Sequence, residues 1–314
     1  MNLNPQKTAF LFPGQGSQAL GMGKELAEAY PVAKQTFEEA DQILGFPLSS
    51  LMWGDDEDAL NDTLNTQPAL FVHSLAAWRV FHEIAPGFQP ASVAGHSLGE
   101  LSALAAAGAL TFESGLRLVR RRGELMRRAG EIAPGGMAAI LGLDIPTLDK
   151  LCTDASNDDE VVEVANDNCP GQVVISGAKP ALERALELAK EAGARRAVPL
   201  AVSIAAHSPL MTVIQTEFDV AVAAAQITES SLPVVGNVTA STLKIVAEIE
   251  SDLSAQLTSR VRWTESIQGM VANGMTTFVE VGSGSVLSGL LRRIDRSVKG
   301  IPFGTPDDIE KLFS

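Results

Sequence analysis

The chain has 314 residues, of which 46% are hydrophobic and 20% are charged, a balance typical of a folded globular protein. This length fits one large domain or a domain that carries an insertion. The formal net charge of -14 argues against nonspecific binding to nucleic acid or to an anionic membrane. Cys152 and Cys169 form neither a disulfide framework nor a metal-binding pair, so we expect no metal site and a cytoplasmic location. Neither a signal-peptide core nor a run of membrane-spanning length is evident.

Short β-like runs alternate with longer amphipathic segments along most of the chain. The main runs are Thr8–Phe12, Ser92–Gly95, 232–238 and 276–281. Each of them is followed by a helix-like stretch. This alternation predicts an α/β fold with a mainly parallel sheet.

The rhythm changes between residues 134 and 202. The strand-like runs MAAILGL, VVEVAND, GQVVISG and RRAVPLAV surround two helix-like stretches, 144–155 and 179–192. The order strand, helix, strand, strand, helix, strand is ferredoxin-like. We therefore predict a small ferredoxin-like subdomain, 134–202, inserted into a larger subdomain formed by 1–133 and 203–314.

The segment ASVAGHSLGELSAL places Ser97 between a short strand-like run and a strong helix. This G-x-S-x-G pattern is typical of a nucleophile elbow, in which small residues permit a strained turn that exposes the serine. Backbone N–H groups at the start of the following helix can stabilise an oxyanion. A serine that only caps the helix is the alternative. Because both flanks fit the elbow, we predict that Ser97 is a catalytic nucleophile.

A serine nucleophile needs a base, and the chain has four histidines: His73, His82, His96 and His207. The first two lie in a helix-like stretch, where packing or surface roles are the simplest interpretation. His96 sits in the elbow, where its side chain should point away from that of Ser97. His207 ends a strand-like run and precedes a Ser-Pro pair typical of a helix start. We predict that His207 is the base, oriented by a backbone carbonyl or an amide side chain because no aspartate is evident.

The helix-like stretch 112–129 carries six arginines, a pattern that usually marks a solvated face. At about 100° per residue, however, Arg122 falls in the middle of one apolar stripe. That stripe consists of Leu118, Val119, Leu125 and Met126. A buried guanidinium needs an anionic partner. The partner is either an internal carboxylate or the carboxylate of a substrate held by a bidentate clamp.

The glycine-rich segment PGQGSQA near the start formally fits G-x-G-x-x-A through Gly14, Gly16 and Ala19, which would suggest a dinucleotide site. Pro13 interrupts the turn, and no second strand ending in an acidic residue is evident. We instead expect these glycines to bring Gln15 and nearby N–H groups to the reacting centre as oxyanion donors. A second glycine turn, in EVGSGSVLSGLL, is either simple packing or a wall of the same cleft.

Taken together, seven segments resemble the malonyl-CoA:acyl carrier protein transacylase family in family order over nearly the whole chain. They are FPGQGSQ at 12–18, TQPAL at 66–70, AGHSLGE at 94–100, the RRRG segment ending at Gly123, NDNCPGQVVISG at 166–177, the His207 segment and FVEVGSGSVLSGL at 278–290. The resemblance implies an α/β-hydrolase-like large subdomain with a ferredoxin-like small one.

The resemblance also implies the roles of the site residues. Malonyl-CoA would acylate Ser97 with release of coenzyme A, and the phosphopantetheine thiol of the carrier protein would take the malonyl group. His207 would serve as base and acid in both halves. The remaining predicted residues are Gln15 and the Leu98 N–H as the oxyanion hole, Arg122 for the malonate carboxylate, and Gln256, Asn166, His96 and Met126 around the substrate.

The resemblance predicts malonyl-CoA and acyl carrier protein as partners in fatty acid biosynthesis, without a cofactor, nucleic acid or membrane, and we expect a monomer. A polyketide-pathway acyltransferase, a serine thioesterase or esterase, and a noncatalytic carrier-binding module are the alternatives. The residues before the base, Ile204, Ala205 and Ala206, match neither common extender-unit signature of polyketide acyltransferases. Two basic clusters could meet an acidic carrier, one near Arg127 and one formed by Arg292, Arg293, Arg296 and Lys299, although each alone is more simply a solvated face.

Overall fold

The computed structural model describes residues 3–314; residues 1 and 2 of the predicted large subdomain lie outside the described residues. Within 3–314 the chain forms ten strands: β1 (Thr8–Phe12), β2 (Ser92–Gly95), β3 (Gly135–Leu141), β4 (Val162–Cys169), β5 (Gln172–Ala178), β6 (Arg196–Pro199), β7 (Val234–Val235), β8 (Thr242–Leu243), β9 (Thr277–Val281) and β10 (Lys299–Phe303).

The same part of the chain forms fourteen α-helices: α1 (Lys24–Ala29), α2 (Pro31–Leu44), α3 (Leu48–Met52), α4 (Glu57–Asn61), α5 (Thr63–Ile84), α6 (Gly99–Ala106), α7 (Phe112–Ile132), α8 (Ile145–Ala155), α9 (Lys179–Glu191), α10 (Gln215–Ala224), α11 (Val246–Gln256), α12 (Trp263–Ala272), α13 (Val286–Ile294) and α14 (Pro306–Phe313). Short 3-10 turns span Pro5–Lys7 and Pro209–Ile214. None of the helices in the described part of the chain is both long and apolar enough to cross a membrane.

The larger sheet has six strands in the order β10-β9-β1-β2-β7-β8. Its first five strands run parallel, and β8 pairs antiparallel with β7. Strand β1 is buried throughout, as expected of a central strand covered on both faces. Phe10 and Phe12 enter the core on one face, whereas Ala9 and Leu11 enter a separate core on the other. The prediction of an α/β fold with a mainly parallel sheet is confirmed.

Two details of this sheet differ from the sequence prediction. Strand β7 pairs over only two residues of the predicted run 232–238, because the chain then turns back into β8. Strand β10 was not predicted, and it carries Pro302 at the sheet edge, where a missing N–H is tolerated. The first helix begins at Lys24, eight residues after Gly16, so the glycine turn after β1 does not open directly into a helix as a dinucleotide fingerprint requires.

The smaller sheet is antiparallel, in the order β4-β5-β3-β6. Helices α8 and α9 pack against it, and their apolar residues share a core separate from that of the large sheet. Both helices begin and end within one residue of the predicted stretches. The strand and helix order is the predicted ferredoxin-like one, which confirms the second part of the fold class.

Strands β2 and β9 flank β1, and each runs into a glycine-containing turn that precedes a helix. After β9, the carboxylate of Glu280 accepts hydrogen bonds from the N–H groups of Leu287 at 2.9 Å and Ser288 at 2.7 Å. The start of α13 is therefore closed by a side chain of the protein itself. This geometry favours the packing interpretation of the second glycine turn.

Candidate active site

The turn between β2 and α6 carries Ser97 in a strained backbone conformation. Its φ is 51°, in the left-handed region that non-glycine residues rarely adopt. A Cβ added at Gly95 would lie 1.9 Å from the Gly99 carbonyl carbon, and one at Gly99 would lie 2.0 Å from the Phe12 oxygen. Both glycines of the G-x-S-x-G pattern are therefore required by close backbone approach, as a nucleophile elbow demands.

Asn237, just beyond β7, holds this turn with both ends of its amide. Its Oδ1 accepts the Ser97 N–H at 2.7 Å, and its Nδ2 donates to the Gly95 carbonyl at 2.7 Å. The side chain is only 2% exposed. Asn237 was not predicted as a site residue, although a polar side chain within the strand-like run 232–238 was a signal for it.

The side chains of Ser97 and His207 meet, 110 residues apart in sequence. The Ser97 Oγ lies 2.8 Å from His207 Nε2, and His207 Nδ1 lies 2.8 Å from the Gln256 backbone oxygen. Because that carbonyl can only accept, Nδ1 carries the proton and Nε2 presents a lone pair to the serine. A backbone carbonyl thus takes the orienting position that an aspartate holds in other serine enzymes.

His207 is buried and also has a left-handed backbone, with φ at 58°. Burial, reinforced by the positive charge of Arg122, lowers the pKa of His207 to about 3. The imidazole is therefore neutral at physiological pH and able to accept a proton from Ser97. Ser208 follows as expected, but its hydroxyl donates to the Ala205 carbonyl and does not cap the next turn.

Arg122 on α7 is 1% exposed and reaches the nucleophile. Its Nη2 donates to Ser97 Oγ at 3.3 Å and to Gln256 Oε1 at 2.8 Å, and its Nη1 donates to Gln67 Oε1 at 2.8 Å. Burial lowers the pKa of Arg122 to about 10, which leaves the guanidinium charged at neutral pH. No carboxylate of residues 3–314 forms a salt bridge with it. The interpretation of Arg122 as half of an internal ion pair is therefore wrong.

Two amide side chains hold the guanidinium in place of a carboxylate. Gln67, in the TQPAL segment of α5, bonds Arg122 through its oxygen and approaches the sulfur of Met126 at 3.2 Å through its nitrogen. Gln256, at the end of α11, bonds Arg122 through Oε1 and donates through Nε2 to the Ser97 carbonyl at 3.1 Å. Gln67 was not singled out from the sequence, although an amide within a strongly apolar helix was a usable signal.

The two predicted oxyanion donors lie on either side of the elbow. The N–H of Ser97 donates to Asn237 Oδ1, whereas the N–H of Leu98 donates to no backbone or side-chain acceptor within residues 3–314. The glycine-rich segment packs on the elbow, since a Cβ on Gly14 would lie 2.3 Å from the His96 oxygen. The side chain of Gln15 is exposed and donates to Thr63 Oγ1 at 3.2 Å. The backbone N–H of Gln15 donates to no acceptor within residues 3–314, so of the two groups predicted there it is the one left free.

His96 diverges from Ser97 and points toward the small subdomain. Its Nε2 lies 2.8 Å from the Asn168 amide oxygen, and its ring packs edge-on against Trp263. Asn166 and Asn168 both belong to β4, and the turn after this strand is formed by Pro170 and Gly171. The residue that contacts the elbow is Asn168, which was not predicted, and not the predicted Asn166.

The two basic clusters differ in their pairing. Arg127 contacts the carboxylates of Asp62 and Glu131, and its α7 neighbours Arg120, Arg121 and Arg128 are likewise paired. Arg292, Arg293, Arg296 and Lys299 are exposed and, within residues 3–314, form no ion pair. Only the second cluster therefore keeps its charge free for an acidic partner.

Comparison with known proteins gives one consistent result. Residues 9–304 match the family model described as acyl transferase domain. The chain is 47% identical to a malonyl CoA-acyl carrier protein transacylase of Bacillus subtilis strain 168, over 97% of this chain and 95% of that protein. It is 44% identical to the transacylase of the same description from Haemophilus influenzae, over 94% and 95%.

Comparison with solved structures finds the same kind of enzyme as the sequence comparison. An acyl carrier protein S-malonyltransferase from Vibrio cholerae superposes with a TM-score of 0.94 at 44% identity, over 98% of this chain and 99% of that one. A malonyl-transacylase in complex with its type II PKS acyl-carrier protein gives a TM-score of 0.94 at 41% identity, over 97% and 98%.

Proposed function

This chain belongs to the acyl transferase family, and we propose that it is a malonyl-CoA:acyl carrier protein transacylase that works through a Ser97 acyl-enzyme. The observation that carries this proposal is the buried, charged Arg122 beside the nucleophile, held by amides and not by a carboxylate. The named relatives act on malonyl-CoA and acyl carrier protein, and the same substrates suit a nucleophile with a carboxylate site next to it.

In the first half-reaction, His207 Nε2 takes the Ser97 hydroxyl proton as Oγ attacks the thioester carbonyl carbon. The N–H groups of Leu98 and Gln15 stabilise the negative charge that develops on the carbonyl oxygen. As the carbon–sulfur bond breaks, His207 returns its proton to the coenzyme A sulfur. Ser97 is left as a malonyl ester.

The second half-reaction reverses the roles. The phosphopantetheine thiol of the carrier protein gives its proton to His207 Nε2, and the sulfur attacks the ester carbonyl carbon. The carbon–oxygen bond breaks, and the proton passes from His207 to Ser97 Oγ. One base therefore serves both steps, and the carrier leaves as a malonyl thioester.

Arg122 selects the acyl group. A malonyl carboxylate that reaches the guanidinium replaces the long 3.3 Å hydrogen bond to Ser97 Oγ with an ion pair. The Ser97 hydroxyl already lies 2.8 Å from His207 Nε2, so this exchange leaves the nucleophile and its base paired. An uncharged acyl group forms no such ion pair, and this difference separates a malonyl transferase from a general serine esterase or thioesterase.

We place the reaction in fatty acid biosynthesis in the cytoplasm, with a monomer as the acting unit and coenzyme A only as part of the substrate. Both cysteines are free and buried, which fits a reducing compartment. One chain supplies every side chain of the site. A polyketide carrier protein is the alternative acceptor, because one structural neighbour is complexed with such a carrier.

The test is the intact mass of the protein after incubation with malonyl-CoA alone. The wild type should gain one malonyl group, Ser97→Ala should gain none, and added carrier protein should remove it. Ser102→Ala, on the helix that follows the elbow, is the matched control that should still be acylated. An unmodified wild type would falsify the proposed acyl-enzyme, and loss of the label to water without carrier would indicate a thioesterase. Running fatty acid and polyketide carriers in parallel identifies the acceptor.

A further inference from the structure

Three ionisable groups are buried behind the nucleophile elbow. Arg122, Glu100 and Asp252 are 1%, 0% and 2% exposed. Neither carboxyl group forms a salt bridge within the described residues 3–314. Buried charges are normally paired, so an arrangement of two unpaired carboxyls near a guanidinium requires a physical explanation.

Asp252 accepts backbone hydrogen bonds with both of its carboxyl oxygens. Its Oδ1 accepts the Thr239 N–H at 3.0 Å, and its Oδ2 accepts the Val238 N–H at 3.3 Å. Hydrogen bonds from backbone N–H groups stabilise the charged form of a carboxylate. The carboxylate also packs against Gly236, where a Cβ would lie 2.6 Å from Oδ1.

Glu100 has the surroundings of a neutral carboxylic acid. Its Oε2 accepts the Gln256 amide N–H. Its Oε1 is buried, and no N–H or O–H group of the described residues donates a hydrogen bond to it. The Glu100 carboxyl lies within hydrogen-bond reach of the Asp252 carboxyl, and two buried carboxyls in contact can share a proton but cannot both be charged. Burial, followed by the charge of Asp252 and the hydrogen bond with it, raises the pKa of Glu100 well above its usual range, and the N–H groups of Gln256 and Asn237 oppose this rise only in part.

We propose that Glu100 is a positioning residue for the acyl carboxylate: as a neutral acid it donates its proton to Asp252, accepts the Gln256 N–H, and so keeps the Gln256 oxygen on Arg122. We call this hydrogen-bond chain from Asp252 through Glu100 and Gln256 to Arg122 the relay. Its role in acyl-group binding rests on the proposed malonyl transfer. The protonation of Glu100 does not depend on that function.

The relay has two consequences for Arg122. The amide of Gln256 has one donor end and one acceptor end, and with Nε2 held by Glu100 and the Ser97 carbonyl, Oε1 must face the guanidinium. A neutral Glu100 also carries no negative charge that could compete with the malonyl carboxylate for Arg122. An ionised Glu100 would be close enough for its charge to act on Arg122, and it would oppose entry of the malonyl carboxylate.

The experiment compares Glu100→Met, which keeps the length of the side chain without an acceptor, with Glu100→Gln, which mimics the neutral acid. A glutamine nitrogen can donate to Asp252 while its oxygen accepts from Gln256. We expect Glu100→Met to raise the KM for malonyl-CoA about tenfold, equivalent to one lost hydrogen bond, with a smaller change in kcat. Glu100→Gln should restore the KM to within about threefold of the wild type. Glu113→Gln, the same substitution at an exposed position on the next helix, is the control.

Infrared spectroscopy of the substrate-free protein tests the protonation state directly. The wild type at neutral pH should show the carbonyl band of a protonated carboxylic acid, and Glu100→Gln should lack it. A KM in Glu100→Gln as high as in Glu100→Met, or no such band in the wild type, would overturn the proposal. The infrared comparison uses only the wild type and Glu100→Gln, so it tests the proposal even when Glu100→Met fails to fold. If Ser97 is never malonylated while the band is present, the proposed function fails and the protonated Glu100 stands.

Discussion

Asn237→Ala tests whether the nucleophile is locked by the Asn237 amide. The change removes two 2.7 Å hydrogen bonds from a side chain that is 2% exposed and leaves the Ser97 N–H and the Gly95 carbonyl without partners. An unsatisfied buried polar group costs about 1–3 kcal/mol and this change leaves two of them, so we expect the free energy of unfolding to fall by about 2–6 kcal/mol. The strain stored at φ 51°, of order 1–3 kcal/mol, can then relax.

Relaxation would move Oγ away from His207, and we expect kcat/KM for malonyl transfer to fall about 100-fold, or roughly 2.7 kcal/mol. The assay measures coenzyme A release with saturating carrier protein, alongside urea unfolding. Leu148→Ala, in the separate core of the small subdomain, is the control because it should lower stability by about 2–5 kcal/mol and leave kcat/KM unchanged. Wild-type kcat/KM in Asn237→Ala, or an equal fall in the control, would refute the reasoning.

Three further predictions concern the same site. Arg122→Ala should lower the rate of malonyl transfer by at least about 100-fold, the size expected for a lost charge-assisted contact. The rate of acetyl transfer should stay the same or rise. Equal losses in the two transfer assays would contradict the role of Arg122 in binding the malonyl carboxylate. Because the pKa of His207 is about 3, kcat/KM for malonyl-CoA should stay constant as the pH falls through 6.5, and an acid limb near 6.5 would contradict this. Removing the Arg122 charge should raise that pKa, so the acid limb for acetyl-CoA should move to higher pH in Arg122→Ala. Gly95→Ala should yield little folded protein by circular dichroism, because its Cβ would meet Gly99 at 1.9 Å; a folded, active variant would show that the elbow tolerates a side chain.

The sequence was sufficient for the fold class and for the pairing of Ser97 with His207. Local patterns carried this information: a buried run that ends in small residues, and a histidine beside a helix start. The helices of the small subdomain were predicted to within one residue because their caps and periodicity agree. Arg122 was found because a charge interrupts an apolar stripe.

What the sequence left open depends on contacts between distant segments. Whether Arg122 meets a carboxylate is decided by Gln67 and Gln256, which lie 55 and 134 residues away. Asn168 was missed in favour of Asn166 because the choice depends on how β4 pairs and bulges, and period-two patterns locate a strand better than its irregularities. The protonation of Glu100 depends on Asp252, more than 150 residues further along the chain, and no local pattern reveals it.

The helices α6 and α13 both begin beside β1, but their N-terminal ends differ in whether an acidic side chain occupies them. Both α6 and α13 turn the positive end of a helix dipole toward the same edge of the sheet. Glu280 permanently satisfies the end of α13, as if the protein carried its own bound anion there. At the start of α6 the N–H of Leu98 has no acceptor within residues 3–314, so this helix end can stabilise a charge that appears only during the reaction. The negative charge that develops on a thioester oxygen beside Ser97 therefore takes the role at α6 that the Glu280 carboxylate holds permanently at α13.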